Sequence, residues 1–133
     1  MRRLMIKNDC YIAVVCGSIV KITSGGIILD QFQNATIVKK ANVFYDGRVT
    51  SRTVYLADGA RKTLGIIMPG EYEFGTAAKE QMEVLSGTLN ALLPGSQTWV
   101  AYGEGQMFEV PANSKFKVST DGVADYCCSY IED

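Results

Sequence analysis

The sequence predicts an all-β domain of the sandwich or barrel class, and three observations carry that expectation. From Phe44 onward, short apolar runs alternate with turn signals such as "YDGRV", "LADGARK", "MPGEYEF", "LPGSQ" and "STDGVAD". Short strands punctuated in this way by Gly, Pro and Asp pack as antiparallel sheets. No stretch holds a long helical period, and no repeat of fixed period is present. Apolar residues make up 47% of the 133-residue chain and charged residues 20%, which suits one folded core.

Taken in order, the spacing predicts strands over Thr63–Met68, Gln81–Leu93, Met107–Val110, Ser114–Thr120 and Asp125–Ile131. Within the second of these, "MEVLSGTLNALL" reads as a hairpin with Ser86-Gly87 at its bend. Residues 1–37 have a different character. "CYIAVVCGSIV" is an uncharged run between Asp9 and Lys21, too short to span a membrane. Arg2, Arg3 and Lys7 ahead of it imitate a signal peptide, but Asp9 and the missing small-x-small cleavage pattern argue against one. Three readings stay open: a pair of β-like segments, a poorly ordered arm, or an extension from a start placed too far upstream, with Val38 the internal alternative. The last accords best with a domain grammar that begins just after residue 38. The expected organisation is therefore an N-terminal extension over 1–37 and a β-barrel over 38–133.

Charge and residue usage narrow the function classes. Thirteen basic and fourteen acidic side chains nearly balance, so neither nucleic acid nor an anionic membrane is an expected partner. The chain has no histidine, which removes Ser-His and Cys-His nucleophile systems and imidazole metal sites. Acid–base chemistry must come from carboxylates, Lys, Tyr, Cys or a phosphate on the substrate. The spacing of Cys10, Cys16, Cys127 and Cys128 is not a zinc-ribbon pattern, so the four read as reduced packing residues. No metal and no other cofactor is expected.

Two spacings are more specific. Glu80 precedes Gly87 by six intervening residues, and Gly105 precedes Pro111 by five. In this order they resemble the frames of the two cupin motifs. The positions that carry metal-binding histidines in such motifs fall at Glu73, Gly75 and Phe116, and Asn113 stands where a glycine is usual. The frame records barrel geometry, because the glycines permit positive-φ turns and the proline fixes entry to a strand. The resemblance implies a single cupin-type β-barrel, jelly-roll-like, a double-stranded β-helix.

A denser pattern surrounds that frame from Val43 to Tyr130. It comprises Gly47-Arg48, Arg61, Gly65, Gly70-Glu71-Tyr72, Phe74, Thr76, Met82, Ser86-Gly87 and Leu89. It continues through Leu92-Leu93-Pro94, Trp99, Phe108, Val110-Pro111, Ser114, Phe116, Tyr126, Cys128 and Tyr130. This pattern resembles the pyrimidine/purine nucleoside phosphorylases, which are small single-domain cupins. The resemblance implies a cytoplasmic, metal-independent pentosyltransferase that splits diverse nucleosides with inorganic phosphate into free base and (deoxy)ribose 1-phosphate. It also implies a homodimer.

Phosphorolysis of an N-glycosidic bond needs a cationic site for phosphate, a proton or hydrogen bond for the departing base, and a grip on the pentose. Arg61 is the first phosphate candidate and Arg48 the second, since a guanidinium pairs with two phosphate oxygens. Glu71, Glu73 and Glu80 are the acid–base candidates. Glu71 and Glu73 share one face of a strand, with Tyr72, Phe74 and Thr76 on the other; the sequence leaves open which face lines the barrel. Tyr72, Phe74, Thr76, Phe108, Phe116 and Tyr126 are candidates for substrate contact, the aromatics by stacking, with core filling as the alternative for each. A non-catalytic sugar- or nucleotide-binding cupin and a purely structural dimerising barrel are the competing functions.

Overall fold

The computed structural model describes the backbone of residues 3–6, 10–15, 18–23 and 26–132, with side chains from Asp30 onward. Cys16 and the side chain of Cys10 therefore lie outside the described residues. The chain divides into two units, 1–34 and 35–133.

The first unit is a four-stranded antiparallel meander of β1 (Arg3–Ile6), β2 (Cys10–Val15), β3 (Ser18–Thr23) and β4 (Gly26–Leu29), each pairing with the next. Ile and Val, residue types that favour strands, recur in these segments of the sequence.

The second unit packs two antiparallel sheets face to face. The larger contains β5 (Thr36–Ile37), β6 (Asn42–Phe44), β7 (Val49–Tyr55), β8 (Arg61–Ile67), β10 (Lys79–Ser86), β13 (Met107–Val110) and β15 (Ala124–Ile131). Its order is β13-β10-β15-β8-β7, with β5 and β6 both on the far edge of β7. Thr36 and Ile37 pair with Tyr55 and Val54, so this sheet takes in residues ahead of 38. The smaller sheet has the order β12-β11-β14-β9, where β9 is Gly70–Gly75, β11 Leu89–Leu92, β12 Val100–Tyr102 and β14 Lys115–Thr120. Apolar residues of both inner faces make one core: Val49, Ile67, Met82, Val84, Val110 and Ala124 from the larger, with Tyr72, Leu89, Ala91, Phe116 and Val118 from the smaller. This is the predicted all-β, jelly-roll-like fold of cupin type, although its sheets stay separate rather than closing into a continuous barrel. Among the described residues no helix is long and apolar enough to cross a membrane.

The hairpin expected at Ser86-Gly87 does not form. Strand β10 pairs with β13 and β15, whereas β11 pairs with β12 and β14, so this bend carries the chain from one sheet to the other. An irregularity between Val84 and Ser86 begins the departure. Gly87 completes it at φ 79°, where an added Cβ would stand 2.4 Å from the Val123 carbonyl oxygen.

On the opposite side, Tyr45 links the sheets through its side chain. Its hydroxyl donates to the Glu73 carbonyl oxygen and accepts the Glu73 N–H at 3.1 Å, supplying partners to the exposed edge of β9. A left-handed turn over Tyr45, Asp46 and Gly47 aims the ring there.

Substitution separates backbone strain from collision at the crossing. Gly59 also has positive φ, at 88°, but nothing lies within 4 Å of its added Cβ. Gly59→Ala is expected to cost about 1–2 kcal/mol, the left-handed penalty alone, and Gly87→Ala about 3 kcal/mol or more. Urea unfolding of the two variants beside the wild type measures the difference.

Candidate active site

Strand alternation sends every second residue of the larger sheet inward, and the register sorts those residues into rows. One row runs Ala124, Ile67, Val49, Phe44 and is apolar. The next runs Val84, Tyr126, Gly65, Ser51, Asn42. The third is Met82, Cys128, Thr63, Thr53. The last pairs Glu80 with Tyr130, beside which the guanidinium of Arg61 lies 3.8 Å from the ring centroid. Polarity thus rises along the strands, from an aliphatic row to one holding a carboxyl, a phenol and a guanidinium. Residues of these rows and the aromatic rings Phe74 and Phe116 of the smaller sheet line a cavity of about 290 Å³ that is open on one side. Its size lies near the lower end of the range for small-molecule sites.

Inner-face polar groups satisfy one another. Asn42 Nδ2 donates to Ser51 Oγ and to Thr53 Oγ1, both at 3.2 Å. Thr63 Oγ1 and the Tyr130 hydroxyl stand 3.5 Å apart. Burial raises the pKa of Glu80 above the ordinary carboxylate value; a hydrogen bond with Cys128 and the charge of Arg61 pull it down but do not cancel that cost. Burial also pushes the Tyr130 phenol up to about 12 and the Cys128 thiol well above its usual range, with the Glu80 charge adding to both. The Tyr126 phenol is likewise raised by burial, with Ser51 pulling it down by less. Its ring fits because it lies against Gly65, where a Cβ would come within 2.8 Å of its Cζ and hydroxyl and 2.1 Å of the Thr50 carbonyl oxygen. Cys127 is pushed up to about 11, chiefly by burial. Both thiols are free and buried, as the packing reading expects.

The candidates drawn from the sequence divide accordingly. Arg61, Glu80, Phe74, Phe116 and Tyr126 line the cavity. Arg48 does not: its Nε donates to the Tyr45 carbonyl oxygen at 3.3 Å, tying the 45–48 turn. The question left open on β9 is resolved by packing. Tyr72 is buried and Phe74 half-buried, while Glu71 and Glu73 are exposed, with Glu71 Oε1 3.8 Å from Lys117 Nζ. The inner face goes to the aromatics because a carboxylate there would lose its hydration. Tyr72, Thr76 and Phe108 are buried outside the cavity wall. Tyr72 donates to the carbonyl oxygens of Met68 and Pro69 at 2.9 and 3.0 Å. Thr76 Oγ1 donates to the Pro111 carbonyl oxygen at 2.6 Å, and Phe108 packs 4.7 Å from Tyr102. Asn113 has φ 54°, so the position where a glycine is usual does demand the left-handed region, which Asn tolerates.

Sequence reasoning missed Asn42, Ser51, Thr53, Thr63 and Tyr130 as cavity residues. The available signal was "VTSRTVY", in which hydroxyl residues recur at alternate positions of one strand. Among the described residues no group of three or more Cys, Asp or Glu side chains is placed to hold a metal ion.

Residues 39–130 match the family model described as pyrimidine/purine nucleoside phosphorylase. A protein of that description from Syntrophotalea carbinolica is 62% identical over 104 residues, covering 78% of this chain and 100% of the relative. A crystal structure of a protein of unknown function from Acinetobacter sp. ADP1 is similar at TM-score 0.74 and 41% identity, covering 76% of this chain and 98% of that one. The Clostridium difficile EutQ protein shares the fold at TM-score 0.58 and 14% identity, over 96% of this chain and 99% of its own. With the cavity, the motif frame and these likenesses in agreement, the chain belongs to the pyrimidine/purine nucleoside phosphorylase family.

Proposed function

We propose that this protein cleaves the N-glycosidic bond of purine and pyrimidine nucleosides with inorganic phosphate, giving free base and (deoxy)ribose 1-phosphate without a metal. The observation that carries the reading is the pairing of a cation and a raised-pKa carboxyl, Arg61 and Glu80, in one small cavity walled by aromatic rings and hydroxyls.

In this reaction Arg61 holds phosphate by charge-assisted hydrogen bonds near the anomeric carbon. A phosphate oxygen forms the new bond to C1′ as the C1′–N bond breaks, and its electron pair stays with the base nitrogen. Glu80, whose proton burial helps to retain by raising its pKa, delivers that proton to the nitrogen in this proposal. The proton leaving the attacking phosphate restores the carboxyl, so hydrogen phosphate and nucleoside balance against pentose 1-phosphate and neutral base. The pentose lies over the hydroxyl-bearing rows. Phe74 and Phe116 offer ring faces that any heterocycle can meet, which suits broad base specificity.

Release of uracil from uridine, or hypoxanthine from inosine, is expected to require phosphate and to persist in chelator. Arg61→Ala is expected to raise the KM for phosphate about ten- to a hundredfold while the fold persists, the loss of one charge-assisted contact. Unchanged phosphate saturation in that variant removes Arg61 from the site. Binding of nucleoside without any turnover points instead to a ligand sensor.

Glu80→Gln is expected to lower kcat at least about a hundredfold, since an amide has no proton to give. The sign of the pH dependence follows from the raised pKa. The acid form persists above the ordinary value near 4.5, and activity falls as pH rises through the folded-state value. Stability obeys the same sign: the folded carboxyl binds its proton more tightly than the unfolded one, so the fold weakens across that window as pH rises. Glu80→Gln is expected to remove the decline, which thermal melts at several pH values measure.

A further inference from the structure

We propose that Asn42 is a pentose-hydroxyl-binding residue of this site, an assignment that rests on the phosphorolysis reading for the identity of its ligand. Asn42 belongs to β6, a three-residue edge strand whose alternation turns Asn42 and Phe44 inward and leaves Val43 61% exposed. A carboxamide on the inner face of a two-sheet core is costly unless each end finds a partner. Here one end is committed. The Nδ2 group is shared between Ser51 Oγ and Thr53 Oγ1, which fixes the plane of the amide. Ser51 lies in the same inward row as Tyr126, across Gly65. The other end, Oδ1, is not a buried orphan: it takes no part in those bonds, stays accessible, and belongs to a side chain that lines the cavity.

The chemistry of that opening favours a hydroxyl donor. Should the amide be turned over, Oδ1 would accept from the two hydroxyls and Nδ2 would face the cavity; a hydroxyl group serves either arrangement, as donor or acceptor. A phosphate is better held at Arg61, where there is positive charge. The base is better met by Phe74 and Phe116, which are apolar. Of the parts of a nucleoside, the pentose alone carries several hydroxyls. A cavity this small leaves a bound nucleoside within reach of every wall.

Steady-state phosphorolysis by the full-length protein tests the assignment, using uridine and its 2′-deoxy, 3′-deoxy and 5′-deoxy analogues. Asn42→Ala is expected to lower kcat/KM for uridine about tenfold, and to show at most about a twofold loss on the analogue lacking the hydroxyl that Asn42 holds. Phosphate KM is expected to stay unchanged. Asn42→Ser, which restores a short hydrogen-bonding group, is expected to recover part of the loss, and it serves as the second variant if the alanine protein folds poorly. An equal penalty on all four substrates, or no penalty on any, overturns the assignment while wild-type turnover leaves the phosphorolysis reading standing. A wild-type protein that cleaves none of the four overturns both.

Discussion

A polar side chain on the inner face of a two-sheet fold must find its partners inside the fold, because packing across the sheets excludes bulk water. Everything distinctive about this molecule follows from how that demand is met. Among the described residues, no buried side-chain nitrogen or oxygen lacks a partner. Ser51 and Thr53 share the Asn42 amide, and Thr63 lies beside Tyr130. A network of this kind holds its members in fixed orientations. Among these rows Glu80 lies buried, and that burial raises its pKa against the pull of Cys128 and of the Arg61 charge.

The two sheets divide the labour. The smaller contributes ring faces and aliphatic bulk, and the larger contributes hydroxyls, a carboxyl and a guanidinium. Neither face would do the proposed chemistry alone, so the joints between sheets matter as much as the strands. Gly87 makes one joint by giving the backbone a left-handed turn against Val123. Tyr45 makes another by lending its hydroxyl to an edge that no strand covers. The fold therefore places its interior as a cylinder would, with side chains taking over where the ladders stop.

Most of the fold was legible because strand length and turn chemistry are local. The Gly, Pro and Asp punctuation located β8, β10, β13, β14 and β15 to within a few residues. Partner choice is not local, and there the reading of Ser86-Gly87 failed: a tight bend looks the same whether the chain turns back on itself or crosses to a facing sheet. The site was legible where a residue's type was unusual for its setting. Glu80 stood out as a charge within the motif frame and Arg61 as one in the denser family pattern, and both line the cavity. The face of β9 was not decidable from "EYEF", because an active site and a core make opposite demands on that alternation; desolvation settled it for the rings. Ser51, Thr53 and Asn42 escaped notice for a related reason. Small polar residues near an edge strand read as solvent-facing until the register shows which neighbours they share.

The contact between Gly65 and Tyr126 also sets the capacity of the binding chamber. At this point the phenol ring occupies the layer that a side chain on β8 would otherwise fill. A β-carbon at residue 65 would collide with the Thr50 carbonyl oxygen at 2.1 Å as well as with the ring at 2.8 Å. Room at this level must therefore come from shortening Tyr126 or from the pliable thioether of Met82, because residue 65 has no side chain to trim.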